Sequence, residues 1–229
     1  MNKSVPILNI SFNASGASQA GKRGDVVLVV DVVDMSTSAE AALEHGALSV
    51  YGVAPEGIEI PAKTDYNIIC ELAIGDAKKN SASIILVTEP RIAKDSERKA
   101  TVQKVHDEVV AQGIAIDGIV ANQGIELPKL IDFKNKVVII ASQTGGSAFD
   151  AAVCAGSAKV LTGTVVRTMK TTGQDNIKKA AKRAIEAAIR FGCGITVVAA
   201  TANSVDDYLG AQQISYEILR EGFLSLKTV

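Results

Sequence analysis

The chain has 229 residues, 47% of them hydrophobic and 21% charged, with 24 Lys and Arg against 25 Asp and Glu. That apolar fraction excludes a disordered chain. The near-neutral balance speaks against nucleic-acid partners bound by phosphate neutralisation and against a polybasic membrane-surface protein, and no apolar run approaches the ~20 residues that span a bilayer.

Short β-branched runs alternate with longer helical stretches along the chain. A strand at Ile7–Phe12 precedes a Gly/Ser loop at Ser15-Gly16-Ala17-Ser18. Strands are expected at Val26–Val30, Ser49–Val53, Ile84–Thr88, Ile116–Val120, Val137–Ala141, Lys159–Leu161 and Ile195–Ala199. They are almost continuously apolar, as parallel strands covered on both faces are. Helices are expected at Ser36–His45, Asp95–Gln112, Gly146–Ala155, Gln174–Phe191 and Ser204–Glu221. Residues 55–83 mix Ile with Pro and Gly and point to neither helix nor strand. The order predicts an α/β fold, a mostly parallel sheet flanked by helices, as one domain over 1–229 or as two tightly packed lobes.

An internal βαβ duplication is visible. Val29–Val50 lies on Val138–Val160 almost without gaps, each copy running strand, polar turn, helix, glycine, strand. Gly46 and Gly156 fall just past the helix ends, where a left-handed residue closes a helix. Common descent and the general likeness of βαβ units explain the match equally well.

Ligands of open α/β sheets bind beyond the carboxyl ends of the strands. Three loops there carry small polar residues: Asp31–Ser38, Ser142–Ser147 and Thr201–Asp207. Gln143-Thr144-Gly145-Gly146-Ser147 is the best phosphate cradle, since paired glycines let backbone N–H groups approach an anion at a helix N-terminus. Plain helix capping accounts for the same residues. Asp31 follows a buried strand, where a carboxylate needs a partner or a metal. Asp34 either joins it in metal or acid/base work or caps the next helix. Of Asp206 and Asp207, one serves the site while the other complements the helix dipole, or both do the latter. Arg167 follows a strand end and suits either an anion clamp or a surface ion pair. His45 suits a helix end, and His106 looks solvated. The Lys178, Lys179, Lys182 and Arg183 face reads as the charged outer side of an amphipathic helix. Cys70, Cys154 and Cys193 form no CxxC pair, so neither a disulfide framework nor a zinc site is expected.

Three segments together resemble the 2-phosphosulfolactate phosphatase family. They are Val29–Thr37 with Ala41–Gly46, Val137–Ala148 with Ala158–Val166, and Ser204–Ala211 with its Asp206-Asp207 pair. Asn122–Pro128 resembles a worn form of that family's "ERGG…IP" segment. The likeness covers residues 25–53 and 118–221, leaving 54–117 as an inserted or diverged segment. It implies an α/β fold and Mg²⁺-dependent hydrolysis of a small phosphorylated acid, on a route to coenzyme M. On that reading Asp31 and Asp206 hold Mg²⁺ and Asp31, Asp34 and Asp207 are catalytic. Ser36, Thr37, Thr144, Gly145, Gly146, Ser147 and Arg167 bind phosphate. The chain departs from the family where Asp34 replaces an Arg and where the "ERGG" charges are Asn122-Gln123-Gly124-Ile125. Arg167 or Lys63 would then supply the missing positive charge. The departures leave open a diverged paralogue that binds an anionic metabolite and has altered chemistry, and, further off, an assembly subunit. A cytoplasmic homodimer is the default expectation for such enzymes.

Overall fold

In the computed structural model, which describes residues 5–226, the apolar runs form two separate four-stranded sheets. The first holds β1 (Leu8–Phe12), β2 (Val26–Val30), β7 (Lys159–Thr162) and β8 (Ile195–Ala199), in the order β1-β8-β2-β7. The second holds β3 (Ser49–Val53), β4 (Ile84–Thr88), β5 (Ile116–Ala121) and β6 (Val137–Ala141), in the order β3-β6-β4-β5. Every pairing is parallel. The four inner strands, β2, β8, β4 and β6, are buried at every residue, which is why they read as unbroken apolar runs. Around the sheets lie α1 (Asn13–Lys22), α2 (Met35–Glu44), α3 (Tyr66–Asn80), α4 (Asp95–Ala100), α5 (Gln103–Ala111), α6 (Gly145–Cys154), α7 (Gly173–Phe191) and α8 (Val205–Arg220). Among the described residues no helix is long and apolar enough to cross a membrane.

The duplicated segments are the two connections that exchange chain between the sheets. The chain leaves the first sheet at β2, runs through α2 and enters the second at β3. It leaves the second at β6, runs through α6 and returns to the first at β7. Both helices end on a left-handed glycine, Gly46 at φ +92° and Gly156 at φ +93°. The carboxyl ends of β2 and β6 therefore meet where the two sheets adjoin. Gly146 makes a close approach there, since a Cβ on it would lie 2.2 Å from the Val53 carbonyl oxygen.

Three expectations are corrected, and one stretch left open is resolved. Ser15–Ser18 is not a loop but the body of α1, whose Ala14, Gly16, Ala17, Ala20 and Gly21 are buried and let it lie close on α6. Low propensity of Gly and Ser is overridden by that packing. The single helix over 95–112 is two, α4 and α5, because the chain breaks at Thr101 and buries Val102 completely. The unread stretch contains α3, capped by Asp65, whose carboxylate accepts the Asn67 N–H at 3.0 Å. Buried Asp150 of α6 accepts the N–H groups of Ala54 at 3.2 Å and Asp65 at 2.9 Å and so pins this stretch down. Lastly, part of the basic face of α7 is not solvated. Arg183 bonds buried Glu40 of α2 at 2.7 and 3.3 Å, and Lys179 bonds Glu44 at 3.0 Å. Residues 54–117 thus carry α3, β4, α4 and α5, and β4 sits between β6 and β5 in the second sheet.

Candidate functional site

Asp31 stands immediately after β2 and is almost fully buried. Its Oδ2 accepts the Thr144 hydroxyl at 2.7 Å, the Gly145 N–H at 2.7 Å and, more weakly, the Ser142 hydroxyl at 3.4 Å. The carboxylate therefore caps α6 from the opposite sheet, where free N–H groups and the helix dipole favour negative charge. Its Oδ1 accepts no hydrogen bond among the described residues. The Asp31 N–H donates to Ser36 Oγ at 3.0 Å, and that hydroxyl donates to the Val29 carbonyl at 3.0 Å. Thr37 likewise donates to the Val32 carbonyl at 2.7 Å and lies 2.9 Å from the Thr164 hydroxyl. Ser36 and Thr37 thus shape the β2–α2 turn with hydroxyls already engaged.

Asp34 occupies the cap position of α2 without making a side-chain cap. It turns instead to Arg91, 3.2 Å away, on the loop after β4. Burial raises its pKa, the Arg91 guanidinium works against that rise, and the Asp31 charge adds to it. Glu89, at the carboxyl end of β4, accepts the Asn122 side-chain amide at 3.0 Å and the Gln143 N–H at 3.2 Å. Asn122 in turn accepts the Ser38 hydroxyl at 2.5 Å, tying α2 to the ends of β4 and β5. Burial also raises the Glu89 pKa, against those hydrogen bonds and with the Asp31 charge. Asp207, in the first turn of α8, accepts the Val32 N–H at 2.8 Å and the Thr201 N–H at 3.2 Å. Desolvation dominates there, aided by Asp31, and its pKa is pushed up to about 7.

Asp34, Glu89, Arg91 and Gln143 line a cleft of about 290 Å³, with Ile58 as its apolar wall. Asp31 lies within electrostatic reach of Asp34, Glu89 and Asp207. The result is a cluster of acids at the carboxyl ends of β2, β4 and β8 with one guanidinium at its edge. A broader cleft of about 490 Å³ lies between α1, α6 and residues 61–63. It holds Lys22 and Lys63 but no such cluster.

Of the residues expected at the site, Asp31, Asp34, Ser36, Thr37, Thr144, Gly145 and Asp207 are brought to one region. Asp206 is exposed and hydrogen-bonded to Ser204, so it does not join Asp31. Arg167 is exposed and makes no ion pair among the described residues. Gly146 packs on Val53, and the buried Ser147 hydroxyl has no hydrogen-bond partner among the described residues. The phosphate cradle at the start of α6 is occupied by an acid of the chain itself. Glu89 and Arg91 were missed; Gln143 was read as the first residue of the phosphate cradle, not as a partner of Glu89. The signal for the first two lay in the strand-end rule, because Glu89-Pro90-Arg91 directly follows the β4 run.

The donor set suits a hard cation, being all oxygen and free of Cys and His. Among the described residues no three His, Cys, Asp or Glu side chains converge into a ready-made metal cage. Mg²⁺ is commonly held by one or two carboxylates with water, which Asp31 through Oδ1 and Asp34 match in chemistry. Comparison with protein-family models and with curated proteins finds no match for the chain.

Proposed function

We propose that the cleft at the carboxyl ends of β2, β4 and β6 is the site of an Mg²⁺-dependent hydrolase acting on a small phosphorylated acid. This is the activity implied by the resemblance to the 2-phosphosulfolactate phosphatases. The observation that carries the reading is the convergence of Asp34, Glu89 and a single guanidinium, Arg91, on one cleft, with buried Asp31 behind it and within electrostatic reach of both acids. Asp31 and Asp34 would hold the ion, which supplies positive charge for the phosphoryl oxygens and acidifies bound water. Arg91 grips the phosphoryl or acid group through its planar fork, a role that neither Arg167 nor the start of α6 fills. Glu89 has its acidity weakened by burial and is anchored by Asn122 and Gln143. It is the group suited to hold a proton for the departing oxygen.

The test is phosphate release from 2-phosphosulfolactate and a panel of small phospho-acids, with and without Mg²⁺. Turnover should require the metal, fall about 100-fold or more in Asp31→Asn, and show a KM raised about 10-fold in Arg91→Ala. Metal-independent turnover, or full activity in Asp31→Asn, refutes it.

A second reading is a diverged relative that binds an anionic metabolite without hydrolysing a phosphate ester. The specific observation in its favour is that the α6 N-terminus already holds the Asp31 carboxylate. Under this reading a metabolite raises the unfolding temperature while no phosphate appears.

A further inference from the structure

The last long helix, α8, is apolar on both sides. Its inner face, through Gly210, Ala211, Ile214 and Ile218, is buried against the first sheet. Its outer face carries Val205, Leu209, Gln212, Tyr216 and Leu219, spaced four, three, four and three residues apart. That is an a/d seam, the pattern by which one helix packs along another. Val205 is 70% exposed, Leu209 50%, Tyr216 69% and Leu219 45%. A second apolar stripe on a helix whose other face is already buried is normally covered. Beside the seam, Tyr208 stacks on Phe12 of the edge strand β1 at 5.6 Å, extending the patch. Together these side chains form a contiguous exposed patch of the few-hundred-Å² class, about 300–600 Å², in which the largest patch of a monomer is often functional.

We propose that this face is a homodimer interface in which α8 of one copy lies antiparallel on α8 of a second copy, with the two-fold axis at Gln212. The sequence of the seam is self-complementary about that residue. Across the axis Val205 meets Leu219, Leu209 meets Tyr216, and Gln212 meets itself. Charge is complementary in the same arrangement. Exposed Asp206 stands at the start of the helix and Arg220, 62% exposed and also paired with Glu217 of its own helix at 3.1 Å, at its end, so antiparallel packing brings each acid toward the other copy's arginine. The two helix dipoles oppose as well. Parallel packing would instead place like charges together. Gln212, whose amide donates to Tyr208 at 2.6 Å, is the single polar residue of the seam and keeps its carbonyl for the partner. Such a residue fixes register in helical interfaces. Edge strand β1 lies alongside and is continuous with the seam through Phe12. With this rim the surface approaches the ~800 Å² per partner of a standard interface. Closed two-fold contacts of this type are the commonest oligomers.

The proposal is independent of the functional reading. It is tested on the full chain by sedimentation equilibrium at micromolar concentration. The native protein should be a dimer, and Leu209→Glu with Tyr216→Glu should raise the dissociation constant about 100-fold or more. Both side chains are solvent-facing in the protomer, so the variant should keep its far-UV spectrum. Gln212→Cys should cross-link to itself under mild oxidation, whereas Leu219→Cys alone should not, being far from its own mate in the antiparallel arrangement. A monomeric native protein overturns the proposal. So does a dimer unaffected by the double variant, or one in which Leu219→Cys cross-links and Gln212→Cys does not.

Discussion

Replacing Asp31 by alanine empties the start of α6. The carboxylate makes two short, charge-assisted hydrogen bonds there, 2.7 Å to the Thr144 hydroxyl and 2.7 Å to the Gly145 N–H. Each such bond contributes about 1.5–3 kcal/mol, and the helix dipole about 0.3–1 kcal/mol more. Against this stand the repulsions of Asp31 with Asp34, Glu89 and Asp207, which its removal relieves. The bonds are direct and buried, whereas the repulsions act between groups whose own pKa values are already raised, so the bonds win. The expected net loss is about 2–3 kcal/mol, a fall of roughly 5–10 °C in Tm for a chain of this length. Asp31→Asn keeps an acceptor oxygen for Gly145 and loses only the charge, so its loss should be near 1 kcal/mol. Urea unfolding followed by far-UV circular dichroism at neutral pH, free of added metal, separates the three proteins. If Asp31→Ala unfolds at the same urea concentration as the native chain, or later, the carboxylate is not the cap of α6 and the reasoning fails.

Two further outcomes follow from buried groups and close approaches. Asp207 keeps its proton in the folded state up to a pKa of about 7, pushed there by desolvation, whereas the unfolded chain releases it near 3.9. The stability this supplies is complete below pH ~4 and is lost as the pH rises through about 7, at most roughly 2–4 kcal/mol. Asp207→Asn should flatten that decline, and equal pH dependence of the urea midpoints in both proteins between acid and mildly alkaline pH would contradict the assignment. Gly146→Ala puts a Cβ 2.2 Å from the Val53 carbonyl oxygen, a backbone atom held in the second sheet. It should cost on the order of 3 kcal/mol or more, read as a lowered Tm or insoluble expression. Gly75→Ala on the open face of α3 has nothing within 4 Å and should stabilise slightly, so equal effects at both positions would refute the steric account.

The strands were legible because each inner strand is buried on both faces and must be written as an uninterrupted apolar run. The bounds of the inner strands β2, β4, β6 and β8 coincide with the expected runs to the residue, as do those of the edge strand β3. The duplication was legible for the same reason: both copies are a strand, a turn, a helix and a left-handed glycine. What the pattern does not encode is partition between sheets. Val26–Val30 and Val137–Val138 look alike, yet one pairs with β7 and β8 and the other with β3 and β4. Pairing is decided by which helices cover which face, a tertiary matter. Helix α1 was illegible because its small residues, read locally, are turn formers; their use is the close seat on α6. At the site, Asp31 was legible as an acid at the end of a buried strand. Its partner was not, because the Thr144–Gly145 turn lies 113 and 114 residues away and looks the same whether it awaits a phosphate or an aspartate.

That ambiguity bears on how the cleft treats an anion. A helix N-terminus attracts phosphate because its N–H groups are unpaired; here Asp31 takes the Gly145 N–H and the Ser142 carbonyl takes that of Ser147, so much of the attraction is spent within the molecule. What an incoming phosphate meets is Arg91 on one side and Asp34, Glu56 and Glu89 on the others, with Asp31 buried behind them and Asp207 behind Val32 and partly protonated near neutrality. At an effective dielectric constant of about 20 and a separation of roughly 8 Å, each unit charge on the ligand is repelled by each ionised acid by about 2 kcal/mol. One guanidinium offsets one acid, so at least one acid is left unopposed when Asp31 and Asp34 are both ionised. A divalent cation between the acids reverses the sign of that balance. Binding of a phosphorylated acid and binding of Mg²⁺ are therefore coupled by the charge arrangement itself. Titration calorimetry with inorganic phosphate should register binding only when Mg²⁺ is present. Equal binding without the ion would mean that the acids of this cleft do not face the ligand, and the hydrolase reading would lose the arrangement on which it rests.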